Sequence, residues 1–197
     1  MLWQYHRVAK VFISYRTSDE PTVAVLLKRE LSTRFGGNEV FLATRMIAAG
    51  DDFECALLRQ VRRATVLLAV VGHRWLDAPH ADGGRALDDP GDWVRREIAE
   101  ALTNGARVIP IMVGTTPLLT HAPLPADIAP LSTCQFLRFR PEDFEADLQT
   151  LVAELTTILD DARPLERDSN QSTITQIARA SGTSRIYQAG RDQMIND

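Results

Sequence analysis

Residues 65–71 (TVLLAVV) are apolar almost throughout and rich in β-branched side chains. A strand with one wet face alternates apolar and polar residues. This one does not, so it suits the centre of a sheet covered on both faces. A sheet of that kind is parallel, because crossover helices join its strands and cover its faces. Residues 8–15, rich in Val, Ile and Phe, and residues 107–113 (RVIPIMV) read as further buried strands, and 39–42 and 135–139 as shorter ones.

Helical signals fall between the strands. Ser18-Asp19-Glu20-Pro21 offers capping side chains and then a first-turn proline; Val23, Leu27 and Leu31 share a face; Gly36-Gly37 closes the helix. Asp51 or Asp52 caps a second helix whose buried face is Phe53, Leu57, Val61 and Ala64. Asp92 caps a third, which runs to about Asn104 and is closed by Gly105. Residues 142–160 carry Phe144, Leu148, Leu151, Val152, Leu155, Ile158 and Leu159 on one helical stripe. Residues 115–130, with four prolines, read as a loop, and the order otherwise reads as strand then helix, five times over, which predicts an α/β fold with right-handed crossovers. Past Asp160 the chain turns to Arg, Asp, Ser, Thr and Gln. That shift divides it into a domain at 1–162 and a tail at 163–197.

The 197 residues, 45% of them hydrophobic, are enough for one such domain with a real core. A net charge of -4, with Lys and Arg interspersed among the acids, points to no nucleic-acid partner and no anionic membrane. No apolar run approaches the ~18 residues of a membrane span, and residues 1–10 lack the apolar stretch of a secretion signal, so a cytoplasmic location is expected. Cys55 and Cys134 make no CxxC pair and read as two buried thiols in a reducing compartment.

A ligand on such a sheet sits outside the carboxyl ends of the strands, near a switch in strand order. The segments there are Ser14-Tyr15-Arg16 and the loops 43–52, 72–91 and 114–116. They hold no GxGxxG, no GxxxxGK[ST] and no GxSxG, which excludes the usual dinucleotide, phosphate-loop and hydrolase sites. The strand ends lack the clustered carboxylates of a Mg2+-dependent phospho-acceptor, and His6, His73, His80 and His121 have no metal-ligand spacing. Ser14, Thr17 and Ser18 lend weak support to a flavin or nucleotide-binding module. In Asp92-Trp93-Val94-Arg95-Arg96-Glu97-Ile98, the core stripe is Val94, Ile98, Ala101 and Leu102. Glu97 falls roughly 60° off its edge, beside Trp93, facing the cleft and partly desolvated. A surface Glu paired with an Arg one turn away is the plainer alternative.

These residues resemble a known family. Val11-Phe12-Ile13-Ser14-Tyr15-Arg16 is similar to the first strand of TIR domains, Met46-Ile47-Ala48-Ala49-Gly50-Asp51-Asp52-Phe53 to their BB loop, the 92–98 segment to the WxxxE of NAD-cleaving members, and Arg107-Val108-Ile109-Pro110-Ile111 to the fourth strand. The resemblance covers residues 9–159. It implies the flavodoxin-like, three-layer TIR fold, a five-stranded parallel sheet flanked by helices. It implies an NAD+ nucleosidase with Glu97 as the catalytic carboxylate, and Arg16, Phe53, Trp93, Tyr15 and Arg45 on the substrate side. NAD+ is then substrate; no cofactor or metal is needed. Nicotinamide is already a cationic leaving group, so one carboxylate suffices where glycosidases use two. Phe53 also fits core packing, Trp93 a structural anchor, Arg16 an ion pair with Asp19 or another acid, and Arg45 a solvated position. The resemblance further implies activation by self-association through the BB loop, and a role as an immune, antiphage effector. A non-catalytic TIR adaptor is the alternative function.

The tail carries Ile174, Ile177, Ile186, Tyr187, Met194 and Ile195, more apolar anchors than a linker needs. Its 182–193 segment resembles the short amyloid signalling motifs of bacterial immune proteins. That resemblance implies a partner with a similar motif; a solvated tail or a strand added to a partner stays open.

Overall fold

The computed structural model describes residues 11–43 and 53–162, with backbone alone for 53–55. They belong to a unit that runs to Ala162. The elements are β1 (Val11–Tyr15), α1 (Pro21–Phe35), β2 (Val40–Leu42), α2 (Phe53–Arg63), β3 (Val66–Val71), α3 (Trp93–Thr103), β4 (Arg107–Val113), β5 (Leu137–Phe139) and α4 (Phe144–Asp161). The sheet runs β2-β1-β3-β4-β5 with every neighbouring pair parallel. This is the five-stranded α/β architecture expected from the apolar runs.

Residues 115–130 form the link without an α-helix that their four prolines predict, so one of the five expected strand–helix pairs is missing. No α-helix joins β4 to β5; the chain makes short 3-10 turns at Leu119–His121 and Ala129–Thr133 instead. Pro117, Pro123, Pro125 and Pro130 explain this: each lacks an N–H donor and disfavours helical geometry in the residue before it.

Side-chain alternation sorts the core into two layers. Val11, Ile13, Val66, Leu68, Val70, Ile109 and Ile111 pack with Leu27 and Leu31 of α1 and Leu148, Leu151 and Leu155 of α4. Phe12, Leu67, Ala69, Val71 and Met112 pack with Leu57 and Val61 of α2 and Val94, Ile98 and Ala101 of α3. All six residues of β3 are buried, as its uninterrupted apolar run requires. Each Val, Leu, Ile, Phe or Met side chain among these contributes about 1.5–3 kcal/mol by transfer from water. Among the described residues, no helix is long and apolar enough to cross a membrane.

Among the described residues, helix ends follow the predicted chemistry in three cases of four, Gly105 closing α3 at φ +73°. Asp92 caps α3, its side chain accepting from the backbone N–H of Arg95 at 3.1 Å. Gly36 ends α1 at φ +99°, a conformation that favours glycine. The N-terminus of α1 differs, for Glu20 stands at the cap position and makes no side-chain cap bond. Asp19 turns away to accept from the N–H groups of Gly72 at 2.7 Å and Arg74 at 2.9 Å. It thereby ties the loop after β1 to the loop after β3. The approach is so close that a Cβ on Gly72 would lie 2.4 Å from Glu20 Cγ and 2.7 Å from both Asp19 carboxylate oxygens. Residues 8–10, the loop residues 44–52 with Arg45, Asp51 and Asp52, and the tail at 163–197 lie outside the described residues.

Candidate active site

The chain leaves β1 for β2 on one side of the sheet and leaves β3 for β4 on the other. The strand order therefore reverses at β1 and β3, and the crevice at their carboxyl ends is where such sheets hold ligands. A cleft of about 380 Å³ opens at the end of β1. Its walls are the end of β1, the first turns of α3, Leu57 of α2, and the long loop through His80 and Asp89. That volume is ordinary for a small-molecule site.

Glu97 lies in this cleft and is only 3% exposed. Its position on α3 sets it at the edge of the core stripe, as predicted, but the burial is deeper than the helix alone implies. The second wall is Ser14, which alternates onto the same face of β1 as Phe12 and is itself buried. Its hydroxyl donates to Glu97 Oε2 at 2.5 Å, across 83 residues of chain. Burial pushes the Glu97 carboxyl up from 4.5 to about 8; the Ser14 hydrogen bond and the Arg16 charge pull the other way, and Asp92 adds to the rise. Roughly a tenth of the group is ionised at pH 7.

Arg16 is buried at the cleft and forks onto Asp92, Nη1 to Oδ1 at 2.9 Å and Nη2 to Oδ2 at 2.8 Å. Asp92 thus both caps α3 and compensates the guanidinium. Arg16 Nε has no hydrogen-bond partner among the described residues. Trp93, the first residue of α3, lines the cleft with the Arg96 guanidinium 4.6 Å from its ring centroid. Tyr15 lines it from the end of β1. Phe53 begins α2, but its side chain, like the whole of Arg45, lies outside the described residues.

Two cleft residues carried no signal in the sequence. His80 hydrogen-bonds Asp82 through Nδ1 at 2.7 Å and pairs with Asp89 through Nε2 at 3.2 Å. The Asp82 hydrogen bond holds its pKa above the ordinary imidazole range. Neither His80 nor Asp89 has a motif partner at a telling spacing, because a loop rather than a helix face brings them here. Ser14 drew notice only as one hydroxyl of a flavin site, and that hydroxyl is taken by Glu97. Cys134 also departs from expectation. It is half-buried, not buried, because it ends the turn Ala129–Thr133 and β5 starts only at Leu137; it lines a second cavity of about 290 Å³. Among the described residues, no group of three or more His, Cys, Asp or Glu is placed to hold a metal.

The family profile described as "TIR domain" matches residues 11–152. The chain belongs to the TIR domain family. Over 104 residues this TIR domain is 38% identical to the NAD(+) hydrolase sarm1 of Drosophila melanogaster; the stretch is 52% of this chain and 7% of that protein. The TIR domains in the structure of the activated Roq1 resistosome directly recognizing the pathogen effector XopQ share its fold. Their TM-score is 0.57 at 12% identity, covering 74% of this chain and 98% of that one.

Proposed function

We propose that this TIR domain is an NAD+ nucleosidase with Glu97 as its catalytic carboxylate. The observation that carries the proposal is the burial of Glu97 at the strand-order switch, between the end of β1 and the first turns of α3, beside Trp93. The similarity to an NAD(+) hydrolase over half the chain supports it.

The chemistry follows from the charges. The C1′–N bond of NAD+ breaks, its electron pair leaves with neutral nicotinamide, and positive charge develops on the ribose. A carboxylate in a site of low polarity stabilises that charge far better than water does. Glu97 is mostly protonated at rest, but a pyridinium in the cleft favours its ionised form, so substrate itself prepares the site. Water then attacks C1′, giving ADP-ribose, and its proton can pass to Glu97. Attack by the adenine ring gives a cyclic product instead. Tyr15, Trp93 and Phe53 are the proposed contacts to the rings and ribose, and Arg16 and Arg45 those to the diphosphate. The Nε of Arg16, without a partner among the described residues, is a donor for this, although Asp92 already compensates its charge. NAD+ is the substrate in this scheme, and no cofactor or metal takes part.

Activation by self-association through the BB loop, with the 163–197 tail meeting a partner of similar motif, completes the reading as a cytoplasmic immune effector of the antiphage kind. The test is NAD+ consumption by the full chain at high concentration or under crowding, wild type beside Glu97→Gln. Loss of NAD+ in the wild type alone is the expected result. No consumption by either under forced assembly would favour an adaptor that only binds other TIR domains.

A further inference from the structure

We infer that Ser14 is the positioning residue for the Glu97 carboxylate: its hydroxyl holds Oε2 against the end of β1 and leaves Oε1 as the oxygen that acts in the cleft. The inference rests on the proposed role of Glu97. Ser14 and Glu97 are both buried, and the 2.5 Å bond between them joins the carboxyl end of the first strand to the third helix. Among the described residues no other hydrogen bond to Glu97 is found, so of these it is Ser14 that fixes the rotation of the carboxyl group. A glutamate has three rotatable bonds; one buried anchor is what keeps it in a single orientation.

The bond also bears on charge. A hydroxyl can only donate to an ionised carboxylate, so it favours the ionised form against the burial that opposes it. Neighbouring charges act on Glu97 as well: Asp92 at the cap of its own helix opposes ionisation, and Arg16 from the end of β1 favours it. His80 and Asp89 face the same cleft from the long loop. Substitutions at Ser14 leave all of these in place, so they isolate the hydroxyl.

The experiment uses the full chain as wild type, Ser14→Ala and Ser14→Thr, with Glu97→Gln to assign the signal. Carbon-13 NMR of glutamate side-chain carboxyls follows the titration of Glu97 directly, and the pH profile of kcat/KM for NAD+ is taken in parallel. Ser14→Ala is expected to raise the Glu97 midpoint by about one pH unit and to lower kcat/KM at pH 7 roughly tenfold, with the deficit narrowing at high pH but not closing, because the ionised carboxylate has lost its anchor. Ser14→Thr, which keeps the hydroxyl, should restore the wild-type midpoint. A Ser14→Ala midpoint equal to that of wild type overturns the inference, as does a deficit that closes completely at high pH. The NMR titration needs no turnover. A wild type that never cleaves NAD+ would therefore refute the proposed function while the midpoints still decide the role of Ser14.

Discussion

Glu97→Gln should make this protein more stable while removing its proposed activity. Glu97 is an acid whose folded pKa, about 8, stands above its ordinary 4.5, with desolvation as the largest cause. Between those values the folded chain holds a proton that the unfolded chain has released. Stability from this group is therefore full below pH 4.5 and lost as pH rises towards 8. Integrating the linkage gives a loss of about 2–3 kcal/mol between pH 5 and pH 7, and about 4 kcal/mol by pH 9. Glutamine stays neutral throughout and can still accept the Ser14 hydroxyl. The stability of Glu97→Gln minus that of wild type should therefore grow with pH by those amounts. Urea unfolding of both proteins at pH 5, 7 and 9 measures it, and every other titrating group cancels in the difference. A difference that stays flat from pH 5 to 9 would refute the argument, since it would mean that Glu97 ionises as freely in the folded chain as in the unfolded one. A gain in stability on removing an active-site charge is the expected sign of a site held in an unfavourable state for function.

Asp92 joins two tasks that substitutions separate. Asp92→Asn keeps a good cap but loses the ion pair, whereas Asp92→Ala loses the cap, about 1 kcal/mol, and leaves a buried guanidinium without its carboxylate, about 3–5 kcal/mol. Denaturant midpoints should fall from wild type to Asn to Ala, and equal losses would show that the cap carries no weight. Gly72→Ala drives a methyl into Asp19 and Glu20 and should cost about 1–3 kcal/mol through the two loop hydrogen bonds, with faster amide exchange at positions 72 and 74; unchanged exchange would count against the clamp. Leu151→Ala, at a fully buried position of α4, should cost about 2–5 kcal/mol, while Val25→Thr on the exposed face of α1 should stay within about 0.5 kcal/mol; similar losses at both would contradict the layer assignment.

The unbroken run of 66–71, the alternating order of strands and helices, and the cap at Asp92 could all be read from the chain, because each depends on residues within one or two turns of each other. Glu97 was legible as a candidate for the same reason, since helical geometry alone sets it at the edge of the core stripe beside Trp93. The link from β4 to β5 was legible as a loop from its prolines, and the count of five strand–helix pairs overlooked it. What tertiary structure decided is the environment of those residues. The Asp19 carboxylate serves residues 72 and 74 instead of its own helix, Arg16 finds Asp92 rather than its neighbour Asp19, and Ser14 meets Glu97 from 83 residues away. A local pattern fixes which way a side chain points from its own element. Whether it meets water, a charge or a hydroxyl depends on which other element the sheet order sets against it, and for Glu97 that element is the carboxyl end of β1.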